Sequence, residues 1–461
     1  MKKVFDEVAS LEKRVVEDFF LSEEILMEHA SNAIFNYILK KFRKNKTILI
    51  VCGCGNNGAD GLALARLLHK NFNVKIYIVK EPKSAMAKLQ YKRAKSLNIE
   101  FVHNLFEADI IVDCIFGTGL NKKLDENIIN LIASLNSFNS FKIACDIPSG
   151  IDIYGQIISI AYKSDITFTM GAYKTSLFSD TAKDYVGDIK LVNLGVHKDI
   201  FQIDADIFLL EKKDMVLPFR NNKNSHKGTF GHLNIIAGEK IGASIISSKA
   251  AFSFGAGLVT IVCSKEQNIT EYIMQSRNIA QNCTAIAIGM GLGEIYDKNL
   301  EEILELNFPK VFDADIFYKP LIVNYLDENI VLTPHPKEFI SLLKLTNIAD
   351  ISIEELQNNR FLYVKKFCKK YPKTTLLLKG ANVLIAKDNK IYINSYGTQV
   401  LSKGGSGDVL SGLIASLLAQ GYESLNATIS ASLAHTLASK KYKKNNYSLN
   451  PNDLIKKVKK L

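Results

Sequence analysis

Two glycine-rich loops that each carry an aspartate constrain the fold of this chain more than any other feature. The first loop, CGCGNNGADG at residues 52–61, follows the apolar run 47–52 and leads into a helix-like run. The second loop, KGGSGD at residues 403–408, follows a hairpin-like segment and leads into the apolar run 413–419. Such loops present backbone N–H groups at a helix N-terminus, where anions bind. We therefore expect two ligand-binding sites of the α/β kind.

Strand-like and helix-like patterns alternate around each loop. The strand-like runs are residues 47–52, 74–79, 109–113 and 141–146 in the first part of the chain, and 233–238, 258–263, 285–289, 330–333 and 374–379 in the second. This alternation predicts parallel sheets with helices on both faces. Asp113 and Asp146 end two of the runs, so we expect them at the carboxyl ends of the strands, where ligands bind in such sheets.

The chain is expected to form two domains, because 461 residues exceed what one hydrophobic core usually supports. The composition changes across residues 196–225, and residues 220–228 are polar and loop-like. We place the boundary there and predict one domain over residues 1–200 and another over residues 205–461. The expected fold class is α/β with two domains.

The composition favours a cytoplasmic enzyme. The net charge of +11 invites a nucleic-acid interpretation, but the lysines are spread along the chain. Residues 440–444 and 456–460 are interpreted as a solvated helix face and tail rather than a DNA-binding patch. The N-terminus lacks an apolar signal core, and no apolar stretch approaches the length of a membrane span. Seven cysteines without a CxxC pair are typical of reduced thiols in a cytoplasm. We expect no nucleic-acid or membrane partner.

The first loop matches neither a Walker loop nor a standard GxGxxG fingerprint. Asn57 or Asp60 could simply cap the helix. Two further segments at the same sheet edge favour a ligand site: DCIFGTGL at residues 113–120 and DIPSGID at residues 146–152. Together, oxygen atoms of Asn57, Asp113 and Ser149 suit a hard cation. Backbone N–H groups of residues 117–119 suit a diphosphate.

With these motifs in place, residues 20–195 resemble the amino-terminal domain of the NAD(P)HX epimerase/dehydratase family, which epimerises hydrated NADH or NADPH at ring carbon C6. The matching motifs are residues 26–30, 55–61, 112–120 and 146–152. The resemblance implies a Rossmann-like three-layer α/β/α sandwich that holds one K⁺ through Asn57, Asp113 and Ser149. It implies dinucleotide contacts from Asn56, Asn57, Gly58, Ala59, Asp60, Gly117, Thr118, Gly119, Leu120, Asn121, Lys122, Lys123 and Asp146. Ala59 and His29 stand where the family usually has glycine and asparagine.

Asp146 is our candidate catalytic residue in this domain. C6 of the hydrated ring bears a hydroxyl and the ring nitrogen N1, so inversion there needs proton transfer before the hydroxyl can leave or the ring can open. A carboxylate at the rim of the sheet can act as the general acid or base. The alternative is that Asp146 only caps the turn that follows it.

Asp408 is our candidate catalytic residue in the second domain. Gly404, Gly405 and Gly407 allow backbone N–H groups to approach an oxyanion, and Asp408 begins the following helix. It could take a proton from a substrate hydroxyl while the loop holds a phosphoryl group. The alternative is an aspartate that caps a glycine turn.

Residues 205–460 resemble the ribokinase-like fold and, more narrowly, the carboxy-terminal dehydratase domain of the same family. The supporting segments are residues 225–228, 254–259, 289–293, 313–315, 332–339 and 378–381, of which TPHP at 333–336 is the most discriminating. The resemblance implies contacts to the hydrated dinucleotide from Ala256, Gly291, His335 and Asp408. It implies contacts to ADP from Lys379, Gly380, Ala381, Asn382, Val383 and Gly407, with Mg²⁺ as a further cofactor. Met290 replaces a usual proline, and Ser402 and Lys403 replace a small Ala-Thr pair.

The expected function is the repair of hydrated NADH and NADPH (NADHX and NADPHX). The N-terminal domain would interconvert their R and S epimers, and the C-terminal domain would dehydrate the S epimer with ADP, giving AMP and phosphate. The alternatives are a ribokinase-fold kinase of a small alcohol or vitamin precursor with an accessory nucleotide-binding domain, and a nucleotide sensor without activity. The expected partners are NADHX, NADPHX and ADP, with a homo-oligomeric assembly.

Overall fold

The computed structural model describes residues 1–120, 122–293 and 297–461, apart from the side chains of residues 297–299. The chain divides into two compact units, Lys3–Ala205 and Asp206–Leu461, with Met1–Lys2 grouped with the second. Each unit consists of a sheet flanked by helices, and the sheets are wholly or mostly parallel. The predicted α/β fold class is therefore confirmed.

The first unit is built on a parallel sheet with the strand order β4-β3-β2-β5-β6-β7-β9. Strands β1 and β8 are also paired in parallel, and Phe5 lies opposite Lys174 in that ladder. The elements in chain order are β1 (Lys2–Phe5), α1 (Ala9–Phe19), α2 (Glu23–Lys41), β2 (Thr47–Cys52), α3 (Asn56–Leu68), β3 (Asn73–Ile78), α4 (Ala85–Ser96), β4 (Glu100–Val102), β5 (Ile110–Cys114), α5 (Glu126–Ser137), β6 (Phe141–Cys145), β7 (Ile166–Met170), β8 (Tyr173–Lys174), β9 (Asp188–Val192) and α6 (Lys198–Phe201), with 3₁₀ turns at Thr175–Phe178 and Thr181–Asp184.

The central strands of this sheet are buried on both faces. Every residue of β5 is buried, and β2 is buried from Ile48 to Cys52, as expected for a parallel sheet covered on both sides. β2, β5 and β6 are neighbours with matched register, so the loops that follow them meet at one edge. This arrangement brings the first glycine loop, Asp113 and Asp146 to the same rim.

The second unit carries a mixed sheet with the order β13-β12-β11-β14-β15-β16-β17-β18-β19-β10. Pairing is parallel from β13 to β17, and β18 runs antiparallel to both β17 and β19. The elements are β10 (Ile207–Leu209), β11 (His232–Ile236), α7 (Ile241–Ser253), β12 (Leu258–Val262), β13 (Met274–Ser276), β14 (Ala285–Ile288), α8 (Asp297–Glu305), β15 (Lys310–Phe312), β16 (Ile330–Leu332), α9 (Pro336–Leu345), α10 (Ile353–Asn358), α11 (Arg360–Lys370), β17 (Thr375–Leu378), β18 (Val383–Lys387), β19 (Lys390–Asn394), α12 (Ser406–Ala419), α13 (Ser424–Lys440) and α14 (Pro451–Val458), with 3₁₀ turns at Lys212–Asp214, Lys227–Phe230, Ala314–Tyr318, Pro320–Tyr325 and Gln399–Leu401.

Helix α12 lies at the centre of the second unit. It is buried along Val409–Ala419 and packs closely on α7, where a Cβ added to Gly412 would lie 2.3 Å from the carbonyl oxygen of Ser247. Its first residue follows Gly405, whose φ of +85° a side chain would rarely adopt. The second glycine loop is therefore mounted on a helix that belongs to the core.

Of the helices that the structure describes, none combines the length and the apolar character needed to cross a membrane.

Candidate active sites

The first glycine loop lies tightly against the sheet. A Cβ on Gly53 would lie 2.0 Å from the carbonyl oxygen of Ile115, and a Cβ on Gly58 would lie 2.0 Å from that of Gly53, so both positions require glycine. The side-chain oxygen and nitrogen of Asn57 are both buried, and neither has a hydrogen-bond partner in the part of the chain that the structure describes. A buried amide without partners is costly, which points to a ligand at this position.

Asp113 and Ser149 form one buried unit beside this loop. The Ser149 hydroxyl donates to Asp113 Oδ1 at 2.6 Å, and the Ser149 amide donates to Oδ2 at 2.7 Å. Burial raises the pKa of Asp113 to about 6, although the hydrogen bonds from Ser149 and Ile115 oppose the rise. The amide of Phe116 donates to Ser149 Oγ at 2.9 Å, which ties the glycine-bearing segment after β5 to the same unit.

The three predicted cation ligands converge on this segment. A Cβ on Gly117 would lie 3.6 Å from the Cβ of Asn57, and Gly117 follows the residue bonded to Ser149. The donor set therefore combines a carboxylate, a hydroxyl and an unpartnered amide oxygen. Oxygen donors of this kind fit a hard monovalent or divalent cation. The buried Asp113 carboxylate would also gain the positive partner that it lacks among the described residues.

Asp146 lies next to the same segment and is paired with a lysine that sequence reasoning missed. Its Oδ2 would be 3.2 Å from a Cβ on Gly117, and its Oδ1 accepts from Lys174 Nζ at 2.5 Å. Lys174 is 3% exposed and also donates to Thr169 Oγ1 at 3.0 Å. Asp146 adopts a φ of +71°, a strained conformation that Asp and Asn tolerate better than most residues. The contact with Lys174 holds the Asp146 carboxyl group in one direction.

The other predicted dinucleotide contacts differ in their exposure. Thr118, Gly119, Lys122 and Lys123 are exposed and Asn56 begins α3 in an exposed position, whereas Leu120 is buried and Asn121 lies outside the described residues. Gly58 and Ala59 are buried, and the Ala59 methyl group packs with Met27, Ala63 and Ala87. The departure at residue 59 is therefore accommodated in helix packing.

A cavity of about 390 Å³ opens beside these residues in the first unit. It is lined by Ala9, Glu12, Lys13, Val16, Glu17, Glu23, Leu26, Met27, Ala30, Asn56, Asp60, Met170 and Leu194. The backbone N–H of Met170 donates to Asp146 Oδ1 at 3.2 Å, which connects the wall of the cavity to the candidate catalytic carboxylate. Asp60 lies one helical turn after Asn56, so both side chains lie on one face of α3.

The second candidate site is centred on Asp408 in the first turn of α12. Burial and the charge of Asp313 together raise the pKa of Asp408 to about 6, against the opposing effect of Lys379. A Cβ on Gly407 would lie 3.3 Å from Lys379 Nζ, so the ammonium group sits against the glycine loop. The N-terminus of α12 and Lys379 together give a positive environment for a phosphoryl group.

Asp313 and Ser411 support this lysine. Lys379 Nζ donates to Asp313 Oδ1 at 2.6 Å, and the Ser411 hydroxyl donates to Asp313 Oδ2 at 2.6 Å. Burial alone would raise the pKa of Asp313, but the Lys379 ammonium and the hydroxyls of Ser411 and Thr333 hold it below its usual value. The sequence motif contained Asp313, yet nothing in it indicated a charged contact with a residue 66 positions away.

Arg360 organises the segment predicted to bind ADP. This segment, Lys379, Gly380, Ala381, Asn382 and Val383, joins β17 to β18. The guanidinium of Arg360, which is 4% exposed, donates to the carbonyl oxygens of Lys379 at 3.0 Å and Asn382 at 3.1 Å. Arg360 therefore fixes the shape of the turn, and its place on α11 gave no sequence signal for this role.

Of the residues predicted to contact the hydrated dinucleotide in this unit, the structure brings Gly291 to the carboxyl rim. Gly291 follows β14 with a φ of +64°, and its carbonyl oxygen accepts from the amide of Lys240, which follows β11. His335 follows β16 and caps α9. Its Nδ1 accepts from the amide of Lys337 at 3.1 Å, and its Nε2 lies 3.1 Å from Glu338 Oε1. The ring is half exposed and remains open to a ligand.

Ala256 does not join this group. It is 2% exposed, and its amide donates to Ser416 Oγ at 3.1 Å near the carboxyl end of α12. Ser416 is two turns beyond Asp408, or roughly 12 Å along the helix axis. The substrate contact that the resemblance implies for Ala256 stays a prediction.

Two further residues hold the Asp408 loop. The Ser247 hydroxyl on α7 donates to the carbonyl oxygen of Asp408 at 2.9 Å. His435 Nε2 lies 3.0 Å from the carbonyl oxygen of Ser406, and burial lowers the pKa of His435 to about 4. The neutral imidazole therefore donates to the loop at neutral pH. Neither residue belongs to a recognisable sequence motif.

Comparisons with known proteins match a family to each of the two units. The family described as YjeF-related protein N-terminus matches residues 23–176, and the family described as NAD(P)H-hydrate dehydratase matches residues 233–460. A bifunctional NAD(P)H-hydrate repair enzyme from Helicobacter pylori is 44% identical, with 100% of each chain covered. Enzymes of the same description from Dictyoglomus turgidum and Coxiella burnetii are 31% and 32% identical, covering 98% and 94% of this chain and 96% and 93% of their own.

Proposed function

The chain belongs to the family of bifunctional NAD(P)H-hydrate repair enzymes, and from this membership we propose that it restores NADH and NADPH from both epimers of their hydrates. The domain over residues 1–200 interconverts the R and S epimers. The domain over residues 205–461 dehydrates the S epimer with ADP, giving AMP and phosphate. The observation that carries this proposal is that each unit holds an aspartate near a lysine at the rim of its sheet: Asp146 is bonded to Lys174, and Asp408 follows Gly407, against which Lys379 lies.

In the epimerase site, Asp146 accepts the proton of the C6 hydroxyl. Its contact with Lys174 holds the carboxyl group in place beside the glycine-bearing segment after β5, where the ring would bind. Asn57, Asp113 and Ser149 would hold K⁺, which supplies positive charge beside the dinucleotide when bound. Backbone N–H groups at residues 117–119 and at the start of α3 would bind the diphosphate.

In the dehydratase site, Asp408 takes the proton of the C6 hydroxyl while the oxygen of that hydroxyl attacks the terminal phosphorus of ADP. Lys379 and the N–H groups of residues 405–407 stabilise the charge of the transferred phosphoryl group. Mg²⁺ supplies further charge neutralisation when bound. The N1 lone pair then expels phosphate from C6, because phosphate is a far better leaving group than hydroxide. The resulting iminium ion loses a proton from C5 to the departing phosphate or to water, which forms the C5=C6 bond of the reduced nucleotide. The site needs no reductant, since the hydrate already has the oxidation state of the reduced nucleotide.

The decisive test supplies the purified chain with an equal mixture of R and S hydrates of NADH. With ADP present, the reduced-nicotinamide absorbance should return for the entire mixture, because epimerisation feeds the dehydratase. Recovery of only half would contradict the epimerase assignment, and no recovery with either ADP or ATP would contradict the dehydratase assignment. A stable phosphorylated product would support a small-alcohol kinase instead.

The dehydratase rate should fall as the pH drops through about 6, because Asp408 must be ionised to act as a base and burial raises its pKa to about 6. The measurement is kcat/KM for the S hydrate between about pH 5 and about pH 8 with ADP saturating. Far-ultraviolet circular dichroism over the same range controls for unfolding. A rate that stays flat across this range would contradict the role of Asp408.

The epimerase should depend on K⁺ and on Asn57. Replacing K⁺ with tetramethylammonium should slow epimer exchange and lower the Tm, because the ion binds the folded state. Asn57→Ala should raise the K⁺ concentration for half-maximal stabilisation about ten-fold, since a ligand oxygen is lost. Asn104→Ala, in an exposed loop, is the matched control. A Tm that responds equally to both cations would contradict the site.

A cytoplasmic location and a homo-oligomeric assembly are part of the same proposal, and size-exclusion chromatography with light scattering tests the second.

A further inference from the structure

Helix α1 places a second carboxyl group in the cavity of the first unit. The residues of α1 that line this cavity of about 390 Å³ are Ala9, Glu12, Lys13, Val16 and Glu17, which form one face of the helix. Glu12 lies at the inner side of this face, since its neighbours Leu11 and Val15 are buried in the core. Sequence analysis assigned no function to this helix, and the mechanism above does not use Glu12.

The path of the chain connects Glu12 to the Asp146–Lys174 pair. β1 pairs with β8, and Phe5 lies opposite Lys174 in that ladder. The chain then turns into α1, so the helix that carries Glu12 is anchored to the strand that carries the lysine. Met170 lines the cavity and donates its N–H to Asp146 at 3.2 Å. Glu12 therefore lines the cavity, and Asp146 is hydrogen-bonded to a residue of the cavity wall.

The electrostatic environment distinguishes the two carboxyl groups. Burial raises the pKa of Glu12 to about 7, and the negative charges of Asp146, Glu23 and Glu7 raise it while Lys174 opposes the rise. Asp60, on the facing side of α3, has its pKa raised by burial and by the charges of Asp146 and Glu12. Lys13, Glu17 and Glu23 are the other charged groups that line the cavity. Asp146 forms an ion pair with Lys174, whereas no ion pair in the described part of the chain involves Glu12.

The proposed epimerisation needs a proton donor as well as an acceptor. C6 inverts when the C6–N1 bond breaks, the C6 hydroxyl becomes an aldehyde, and the ring closes on the other face of that aldehyde. One group must take the hydroxyl proton, and another must protonate N1 as it receives the electron pair of the broken bond. A single carboxylate that is already ionised supplies only the first of these transfers.

We propose that Glu12 is the general acid of the epimerase site and the partner of Asp146. This proposal rests on the epimerase function stated above. Asp146 takes the hydroxyl proton, the O–H electron pair becomes the C6=O bond, and the C6–N1 pair moves to N1, which takes the proton of Glu12. Rotation about the C5–C6 bond presents the opposite face. Ring closure reverses both transfers, so that neither proton nor electron is gained or lost.

The test compares Glu12→Gln with wild type in the full-length protein. Separated R hydrate is incubated without ADP, and formation of the S hydrate is followed by chromatography. The expected result is exchange at least about 100-fold slower, because a positioned general acid contributes a factor of that order or more. Asp18→Asn, an exposed carboxyl-to-amide change on the same helix, should exchange at the wild-type rate. The dehydratase rate on pure S hydrate should be unchanged, and circular dichroism and the Tm report whether the first unit of the variant is folded.

The pH profile separates proton donation from a merely structural role. Wild-type exchange should slow as the pH rises through about 7, where Glu12 loses its proton, and Glu12→Gln should lack this decline. Exchange by Glu12→Gln within about three-fold of wild type, or a reduced rate that keeps the same decline, overturns the proposal. If Glu12→Gln does not fold, the exchange rate of Glu12→Asp is measured over the same pH range. An unchanged rate with an unchanged pH dependence overturns the proposal. Slower exchange, with the decline at a different pH, supports it. Absence of exchange in wild type contradicts the epimerase function itself.

Discussion

Asp408→Asn should reduce ADP-dependent dehydration by about 10³-fold. The amide has nearly the same shape as the carboxyl group, but it cannot accept the proton of the C6 hydroxyl. The anion-binding parts of the site remain, since Lys379 keeps its bond to Asp313 and the glycine loop keeps its conformation. The KM for ADP should therefore change little. The measurement is the recovery of reduced-nicotinamide absorbance from pure S hydrate with ADP and Mg²⁺.

Stability and epimer exchange are the controls for this variant. Burial and the charge of Asp313 raise the pKa of Asp408, so its ionised form is less favourable in the folded state than in the unfolded chain. Removing the charge should leave the Tm at neutral pH equal to that of wild type or higher. Exchange between R and S hydrates should continue at the wild-type rate. Loss of both activities would contradict two independent sites.

Asp146→Asn should reduce epimer exchange by about 10³-fold and leave dehydration of the S hydrate intact, because the base is lost from the first site alone. Asparagine suits this experiment because it tolerates the φ of +71° at this position, where most side chains would add backbone strain. Its amide oxygen can still accept from Lys174, so the buried ammonium keeps a partner.

The assay for this second variant is the conversion of a pure R hydrate with ADP present. Wild type should convert all of it, whereas Asp146→Asn should convert essentially none, since only the S hydrate enters the dehydratase. Adding a trace of wild-type protein should restore conversion, which shows that the R hydrate preparation is intact and contains no inhibitor. If Asp146→Asn exchanged epimers at a rate near that of wild type, the carboxyl group would be only a cap on its turn.

The sequence predicted the fold because its signals are local. Buried parallel strands appear as continuous apolar runs, and β2, β5 and β6 were recognisable in this way. The glycine loops were recognisable because close backbone contacts at Gly53 and Gly58 exclude every other residue. The predicted convergence of Asn57, Asp113, Ser149 and Asp146 followed from the rule that neighbouring parallel strands end at one rim.

The supporting residues could not be predicted, because their partners are distant in the chain and their own segments look ordinary. Lys174 lies in a two-residue strand, Arg360 in a surface-like helix, and His435 in a helix with little amphipathic pattern. Each acts through a tertiary contact that periodicity does not encode.

The burial of α12 limits which substitutions this helix can accept. Ser411 bonds to Asp313, Gly412 fits against Ser247, and Ser416 bonds to Ala256, so successive small residues of this helix each have a fixed neighbour. A substitution there disturbs packing even where it leaves the chemistry of Asp408 untouched. Within this domain, α12 should therefore tolerate the fewest substitutions, although only its first turn carries the candidate catalytic residue. New substrate preferences would have to arise from changes in the loops at the rim of the sheet.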